Sequence, residues 1–214
     1  MCLTAELPST TIDALVHTVN LGGAMKIGFT VLLLSAWPAL VPAQETVSYR
    51  VIATNKTSTM QKEMQEAGEA GYRFAAVMGG ETAFGGKEVV AIMQKPAASA
   101  GKFAYRLLAT NKTSTMQKEM QEVGDAGYAY VGQTVFESLF GGKEVACIFE
   151  RAVEASPPSG KFEYKLLATS KTSTMQKELQ DAGESAYQVI GMTVGKTMIG
   201  GNELVTILRR PVAR

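Results

Sequence analysis

Histidine and cysteine are almost absent from the chain, and their scarcity excludes several kinds of catalytic site. The 214 residues include one histidine, His17, and two cysteines, Cys2 and Cys147. Catalysis by a Ser-His-Asp or Cys-His arrangement needs an imidazole to move the proton, and metal sites normally need clustered histidine, cysteine or carboxylate ligands. Of these three residues only Cys147 lies beyond position 43, inside an apolar run typical of a buried strand. We therefore predict no catalytic residues, no metal site and no cofactor.

An excess of charge of either sign is also lacking. The chain has 21 lysines and arginines against 20 aspartates and glutamates, which gives a net charge of +1. Proteins that bind nucleic acids or anionic membranes through electrostatics carry a surplus of basic side chains. We therefore expect no nucleic-acid partner.

A short apolar run near the N-terminus is typical of a signal peptide. A lysine follows Met25 and precedes the apolar residues 27–34, and the small residues at 41–43 allow cleavage after Ala43. The run is interrupted by prolines and is shorter than the ~20 residues that cross a bilayer. We predict a protein that is exported to the periplasm or secreted, with no membrane span after cleavage. The predicted segments are an upstream extension, 1–24, ahead of the true start, and a signal peptide, 25–43.

Three copies of one unit make up the rest of the chain. The hexamer Tyr-Arg-Val-Ile-Ala-Thr at 49–54 recurs with conservative changes at 105–110 and 164–169. Each copy is followed by Lys-Thr-Ser-Thr-Met-Gln-Lys-Glu, and each unit closes with a Gly-Gly pair and an apolar run. Short linkers rich in small residues and proline separate the units, as at domain boundaries. The predicted repeats are 47–96, 103–152 and 162–212.

The hydrophobic periodicity within a repeat predicts a βαββ unit. The first segment alternates as in a strand, whereas Met60, Met64 and Ala67 recur at the spacing of one helix face. Ser58, with Gln61 three residues later, is typical of a capping box at the helix start. Two further alternating segments follow, joined by a Gly-rich turn. The sequence therefore predicts an α+β protein of three tandem βαββ units, each a three-stranded antiparallel sheet with one helix.

The middle of the repeat resembles a known family. Residues 64–77, Met-Gln-Glu-Ala-Gly-Glu-Ala-Gly-Tyr-Arg-Phe-Ala-Ala-Val, are similar to the Leu-Asn-x-Leu-Gly-x-Glu-Gly-Trp-Glu-Leu-Val core of the small bacterial domain of unknown function 4177. The closing strand at 204–211 is similar to the end of that family. Tyrosine stands in all three repeats where the family usually has tryptophan, and Ala186 replaces a glycine. The resemblance implies a βαββ fold and implies no activity.

Both faces of each predicted sheet carry apolar side chains. In the first repeat we assign Ile52, Val90 and Ile92 to the face away from the helix, with Leu108 and Leu167 equivalent to Ile52. Exposure of such groups is costly, at roughly 1.5–3 kcal/mol per large side chain, and a unit of about 50 residues has only a marginal core. We therefore predict that the sheets pack on one another, within the chain or between copies, unless a one-residue shift of register exchanges the two faces.

The helix start is the most strongly repeated part of the unit. Residues 53–66 and 109–122 are identical, and 168–181 differ at three positions. A helix start presents unpaired backbone N–H groups and the positive end of the helix dipole, which favour a carboxylate, sulfate or phosphate. An ordinary cap beside a solvated lysine is the alternative explanation. The candidate anion-binding residues are Lys56, Thr57, Ser58, Lys112, Thr113, Ser114, Lys171, Thr172 and Ser173.

These patterns favour a non-enzymatic exported protein whose repeats act as a binding or self-assembly module. The predicted partner is a second copy of the chain or an envelope protein. The alternative is a protein that binds a small anion or other small ligand at the Lys-Thr-Ser-Thr helix starts, or an enzyme that uses them. A structural role in a fibre is a third hypothesis, because unpaired edge strands can template growth.

We expect the exported protein to begin at Gln44, because signal peptidase cuts after small residues such as Ala43. Intact-mass measurement and N-terminal sequencing of protein recovered from the periplasm or the medium would identify this terminus. Recovery of a chain that retains residues 25–43, or that begins at Met1, contradicts the prediction.

Overall fold

A computed structural model describes seven stretches of the chain, all within one compact unit, Ala43–Arg214. The predicted extension and signal peptide, residues 1–43, lie outside the described residues. The described stretches are 46–82, 86–98, 101–110, 112–137, 143–154, 160–196 and 202–212.

The predicted α+β architecture of three βαββ units is confirmed. Each unit has a strand, a 13-residue helix and two further strands. The elements of the first unit are β1 (Val47–Thr54), α1 (Thr57–Glu69), β2 (Arg73–Thr82) and β3 (Gly86–Pro96). Those of the second are β4 (Phe103–Thr110), α2 (Thr113–Asp125), β5 (Ala129–Glu137) and β6 (Lys143–Ala152). Those of the third are β7 (Phe162–Thr169), α3 (Thr172–Glu184), β8 (Gln188–Lys196) and β9 (Asn202–Pro211).

Each unit forms its own antiparallel sheet, with the last strand in the centre. The strand orders are β1-β3-β2, β4-β6-β5 and β7-β9-β8. The first strand of every unit is therefore an edge strand, and one row of its backbone N–H and C=O groups points away from its sheet. An edge of this kind needs water or another partner.

The helices begin without the predicted capping box. Lys56 is the N-cap of α1 and makes no side-chain cap, while its backbone N–H donates to Thr54 Oγ1 at 3.2 Å. The capping-box prediction for Ser58 and Gln61 was wrong, because the Gln61 amide bonds instead to the backbone of the second repeat. The predicted buried stripe is confirmed, since Met60, Met64 and Ala67 are fully buried.

All three helices end in a Schellman turn, which requires a left-handed residue. In α1, Gly71 has φ 87°, the Gly71 N–H donates to Gly68 O, and the Tyr72 N–H donates to Ala67 O. Gly127 plays the same part after α2, with φ 79°. After α3 the position is Ala186, with φ 62°. The third repeat thus holds an alanine in a conformation that suits glycine.

The strand pairing corrects the predicted sheet faces. Residues directly opposite each other in a pair point to the same side, and Ile52 lies opposite Ala91 whereas Val51 lies opposite Ile92. Ile52 therefore faces α1 and is 1% exposed, while Val51 shares the opposite face with Ile92. The assignment of Ile52 was wrong because the true register differs by one residue from the assumed one. The same correction applies to Leu108 and Leu167.

A β-bulge in each second strand also changes the faces. The pairing shifts between Phe74 and Ala76, so Phe74 lies on the helix side of its sheet and Ala76 on the opposite, outer face. Equivalent bulges follow Tyr130 and Val189. A bulge inserts one unpaired residue and reverses the alternation beyond it.

The three sheets stack, as predicted, so that the outer faces of the second and third sheets each cover the preceding repeat. Phe103, Tyr105 and Ile148 on the outer face of the second sheet share one buried cluster with Met60 and Met64 of α1. The third sheet covers the second in the same way, since Tyr164 and Ile207 lie in the cluster of Met116, Met120 and Phe149. The helix and the next sheet together cover the helix side of each earlier sheet.

We expect Ala186→Gly to raise the free energy of unfolding by about 1 kcal/mol, because the left-handed conformation costs an L-residue roughly that much. Urea denaturation at low protein concentration measures the change. Gly127→Ala at the equivalent turn is the converse variant and should lower stability. Equal stability of Ala186→Gly and the parent would contradict the conclusion that Ala186 is strained by its left-handed conformation.

Candidate functional site

Glutamine side chains of α1 pair with the edge strand of the second repeat. Gln61 Nε2 donates to the carbonyl oxygen of Tyr105 at 2.9 Å, and the Leu107 N–H donates to Gln61 Oε1 at 2.6 Å. The Tyr105 N–H donates to Gln65 Oε1 at 3.0 Å. A glutamine amide carries both a donor and an acceptor, as a peptide group does. The two glutamines therefore make the hydrogen bonds to β4 that a neighbouring strand would otherwise make.

The same arrangement joins the second repeat to the third. Gln117 Nε2 donates to Tyr164 O at 2.8 Å, and the Leu166 N–H donates to Gln117 Oε1 at 2.7 Å. The Tyr164 N–H donates to Gln121 Oε1 at 3.1 Å. We call this contact between a helix, the sheet beneath it and the following repeat the junction. It occurs twice among the described residues.

Close approach of helix and strand at each junction requires glycine in the helix. A Cβ at Gly68 would overlap the carbonyl oxygen of Phe103, and a Cβ at Gly124 would overlap that of Phe162. Glycine destabilises a helix interior by roughly 0.5–1 kcal/mol relative to alanine. These glycines are explained by the strand that lies against them.

A buried tyrosine completes each junction. The Tyr105 hydroxyl accepts from the Phe74 N–H at 2.8 Å and donates to the Glu150 carboxylate at 2.5 Å. Arg73 Nη2 lies 2.6 Å from the same carboxylate, which is 7% exposed. Burial, followed by the Glu150 hydrogen bond, raises the pKa of Tyr105 far above its ordinary value. This hydroxyl therefore stays protonated and structural.

At the second junction a buried tyrosine, Tyr164, takes the same position as Tyr105, but no carboxylate stands at the position of Glu150. The Tyr130 N–H donates to the Tyr164 hydroxyl at 2.8 Å, and that hydroxyl donates to Tyr128 O at 3.0 Å. Arg209 occupies the position of Glu150 and lies over the Phe162 ring at 4.8 Å. The backbone recognition is thus common to both junctions, whereas the charges beside it differ.

In the described stretches, the two ends of the stack have no neighbouring repeat against them, and they carry exposed apolar side chains. Twelve large apolar side chains are exposed in the described part of the chain, and nine of them lie on these two ends. On the outer face of the first sheet they are Val47, Tyr49, Val51, Met78 and Ile92. On the helix side of the third sheet they are Val189, Met192, Val194 and Leu204.

Position in the stack accounts for the exposure of Tyr49 and Val51 on the first sheet. Tyr49 is 63% exposed, whereas the equivalent Tyr105 and Tyr164 are 1% and 3% exposed. Val51 is 61% exposed, whereas the equivalent Leu107 and Leu166 are partly buried in the cores at the junctions. The first repeat thus presents the surface that the other two repeats bury.

The candidate anion-binding residues lie where the sequence placed them, at three helix starts. Lys56, Lys112 and Lys171 are exposed N-cap residues. Their neighbours at these starts are Thr57, Ser58, Thr113, Ser114, Thr172 and Ser173. The Thr113 hydroxyl donates to Glu203 Oε1 at 2.6 Å, so a carboxylate of the chain itself lies at the start of α2.

A cavity of about 430 Å³ adjoins the start of α3. Lys171, Thr172, Met175 and Val194 line it, together with Glu203. A carboxylate in the lining disfavours a second anion. Anion binding at the helix starts stays a prediction.

Cys147 does not supply a nucleophile in this conformation. Its side chain is fully buried beneath α2, and burial raises the pKa of the thiol to about 12. The thiolate is the reactive form of cysteine. Among the described residues, no group of three or more histidine, cysteine, aspartate or glutamate side chains could hold a metal ion.

Comparison with known proteins adds no assignment. No family model, curated protein or solved structure matches the chain significantly. The resemblance to the domain of unknown function 4177 therefore stays a prediction. No helix in the described ranges is long and apolar enough to cross a membrane.

Gln61→Ala and Gln117→Ala should each lower the free energy of unfolding by about 1–3 kcal/mol, because each leaves backbone groups of an edge strand without partners. Gln176→Ala, at the equivalent position of α3, should change it by less than about 0.5 kcal/mol in the monomer. Helix propensity changes equally in all three and cancels. Urea denaturation at low concentration measures the difference, and equal effects at the three positions would contradict the account.

Proposed function

We propose that this is a non-enzymatic exported protein whose repeats act as a scaffold for self-association or for binding an envelope protein. The observation that carries the proposal is the concentration of exposed apolar side chains on the two ends of the stack. Scattered apolar residues are normal on a protein surface, whereas a contiguous patch marks an interaction site.

The patch on the first sheet is contiguous. Val51 lies opposite Ile92 in the pairing of β1 with β3, and Ile92 lies opposite Ala76 in the pairing of β3 with β2. Ile92 is 37% exposed and Val51 61%. The apolar surface therefore crosses all three strands instead of following one edge.

The chemistry of the chain favours binding over catalysis. The segment predicted to remain after export contains no histidine, and its single thiol is buried. The buried tyrosines Tyr105 and Tyr164 serve the junctions between repeats. Export itself rests on the predicted signal peptide at residues 25–43.

The proposal is tested with the chain that begins at Gln44. Light scattering and sedimentation measure the mass of the particles that it forms in solution, from micromolar to millimolar concentration. We expect a mass above that of one chain that rises with concentration. High salt should leave this association intact, because apolar burial is not screened as surface ion pairs are. A strict monomer that also captures no protein from an envelope extract would overturn the proposal.

A further inference from the structure

We propose that the outer face of the first sheet docks onto α3 and the helix side of the third sheet in a second copy, repeating the internal junction between molecules. This inference rests on the proposed function and names its partner. Two chemically different faces meet in such a contact, so it is heterologous, and each docked copy still offers one free face. The assembly is therefore a closed ring or a filament.

The α3 end keeps the two glutamines and the glycine that the other helices use at a junction. Gln176, Gln180 and Gly183 occupy the positions of Gln61, Gln65 and Gly68. Both glutamines are exposed, and a Cβ at Gly183 would meet no described atom within 4 Å. Nothing within the described chain therefore requires glycine at 183. A strand from a second copy supplies the requirement.

The first strand keeps the matching groups. Tyr49 and Val51 occupy the positions of Tyr105 and Leu107, whose N–H groups donate to glutamines at the first junction. When docked, the Tyr49 and Val51 N–H groups would donate to Gln180 and Gln176 of the second copy. The Tyr49 hydroxyl would accept from the Val189 N–H, as Tyr105 and Tyr164 do from Phe74 and Tyr130.

Side-chain sizes at the two ends are complementary. At the internal junctions an aromatic ring packs against a glycine, Phe74 against Gly132 and Tyr130 against Gly191, where a Cβ would clash. At the ends, Val189 takes the place of the ring and Ala76 that of the glycine. A smaller side chain thus meets a larger partner, which conserves the packed volume.

The positions of the ion pair at the first junction are uncharged at the two ends. Arg73 and Glu150 form an ion pair at the first junction. The equivalent end positions are Gln188 on the third sheet and Gln94 on the first. Two neutral amides leave no unpaired charge to bury, which would otherwise oppose docking.

Two variants each block one end and leave the monomer fold alone. Gly183→Leu places a side chain where the carbonyl oxygen of Val47 of the second copy would lie, and it fills open space in the free molecule. Val51→Glu places a carboxylate at an exposed position of the first sheet. The matched controls are Gly160→Leu, also in open space, and Val153→Glu, at a valine 52% exposed outside both faces.

Sedimentation of each variant, and of their equimolar mixture, tests the docking. We expect each blocked variant to associate at least about tenfold more weakly than the parent, which corresponds to about 1.4 kcal/mol, because overlapping atoms or an unpaired buried charge oppose docking. The mixture should form a one-to-one heterodimer that grows no further, because one intact face of each kind remains. Both controls should associate as the parent does.

Three results would overturn the docking. They are unchanged association of either blocked variant, a mixture that stays monomeric, and a parent that is monomeric at every concentration. In the first case the parent still self-associates, so the proposed function survives and only the geometry is wrong. If a blocked variant fails to fold by circular dichroism, Gly183→Ala and Tyr49→Phe replace the pair, with the same expected direction and a smaller effect.

Discussion

The stack depends on hydrogen bonds between helix glutamines and the free edge of the following repeat. An edge strand leaves N–H and C=O groups without partners, and Gln61 and Gln117 satisfy those of β4 and β7 with bonds of 2.6–2.9 Å. Gly68 and Gly124 allow the backbones to come close enough for these bonds. The helix thus replaces a fourth strand, and burial of the outer sheet face follows from the same contact.

Each junction uses the helix of one repeat and the first strand of the next. In a linear stack, the first strand of the first repeat and the helix of the last repeat therefore take part in no internal junction. Most repeat proteins protect such ends with polar capping repeats. Here the end positions keep Tyr49 and Val51 at one side and Gln176 and Gly183 at the other. The third repeat also has the smallest buried cluster, Leu167, Ala182 and Leu208. Each end therefore presents one half of a junction instead of a polar cap.

Much of the fold could be predicted from periodicity, because strand and helix patterns are local. The three βαββ units and the buried stripe of Met60, Met64 and Ala67 follow from spacing alone. The sheet faces could not be predicted reliably, because a shift of one residue in register and a bulge after Phe74 exchange inside and outside without changing composition.

The hydrogen bonds of the junction were not predicted from the sequence, for a different reason. Ser58 and Gln61 match a capping box, and that local motif offers a different role for Gln61 from the long-range one that the structure shows. The signal was nevertheless present, since glutamines and glycine recur at 61, 65 and 68 in every repeat on one helix face. An exposed helix surface has no need of such a set. The structure places Lys56, Lys112 and Lys171 at helix starts, and anion binding by these residues stays a prediction.

Residue-resolved hydrogen exchange of the backbone amides at 49 and 51 tests the central claim most directly. We expect rapid exchange of these amides in dilute protein and protection in concentrated protein, because a second copy then supplies Gln180 and Gln176. The equivalent amides of Leu107 and Leu166 should be protected at both concentrations. Two results would contradict this expectation. One is that the amides of Leu107 and Leu166 exchange as fast as the Val51 amide does in dilute protein. The other is that the Val51 amide stays unprotected while the protein associates.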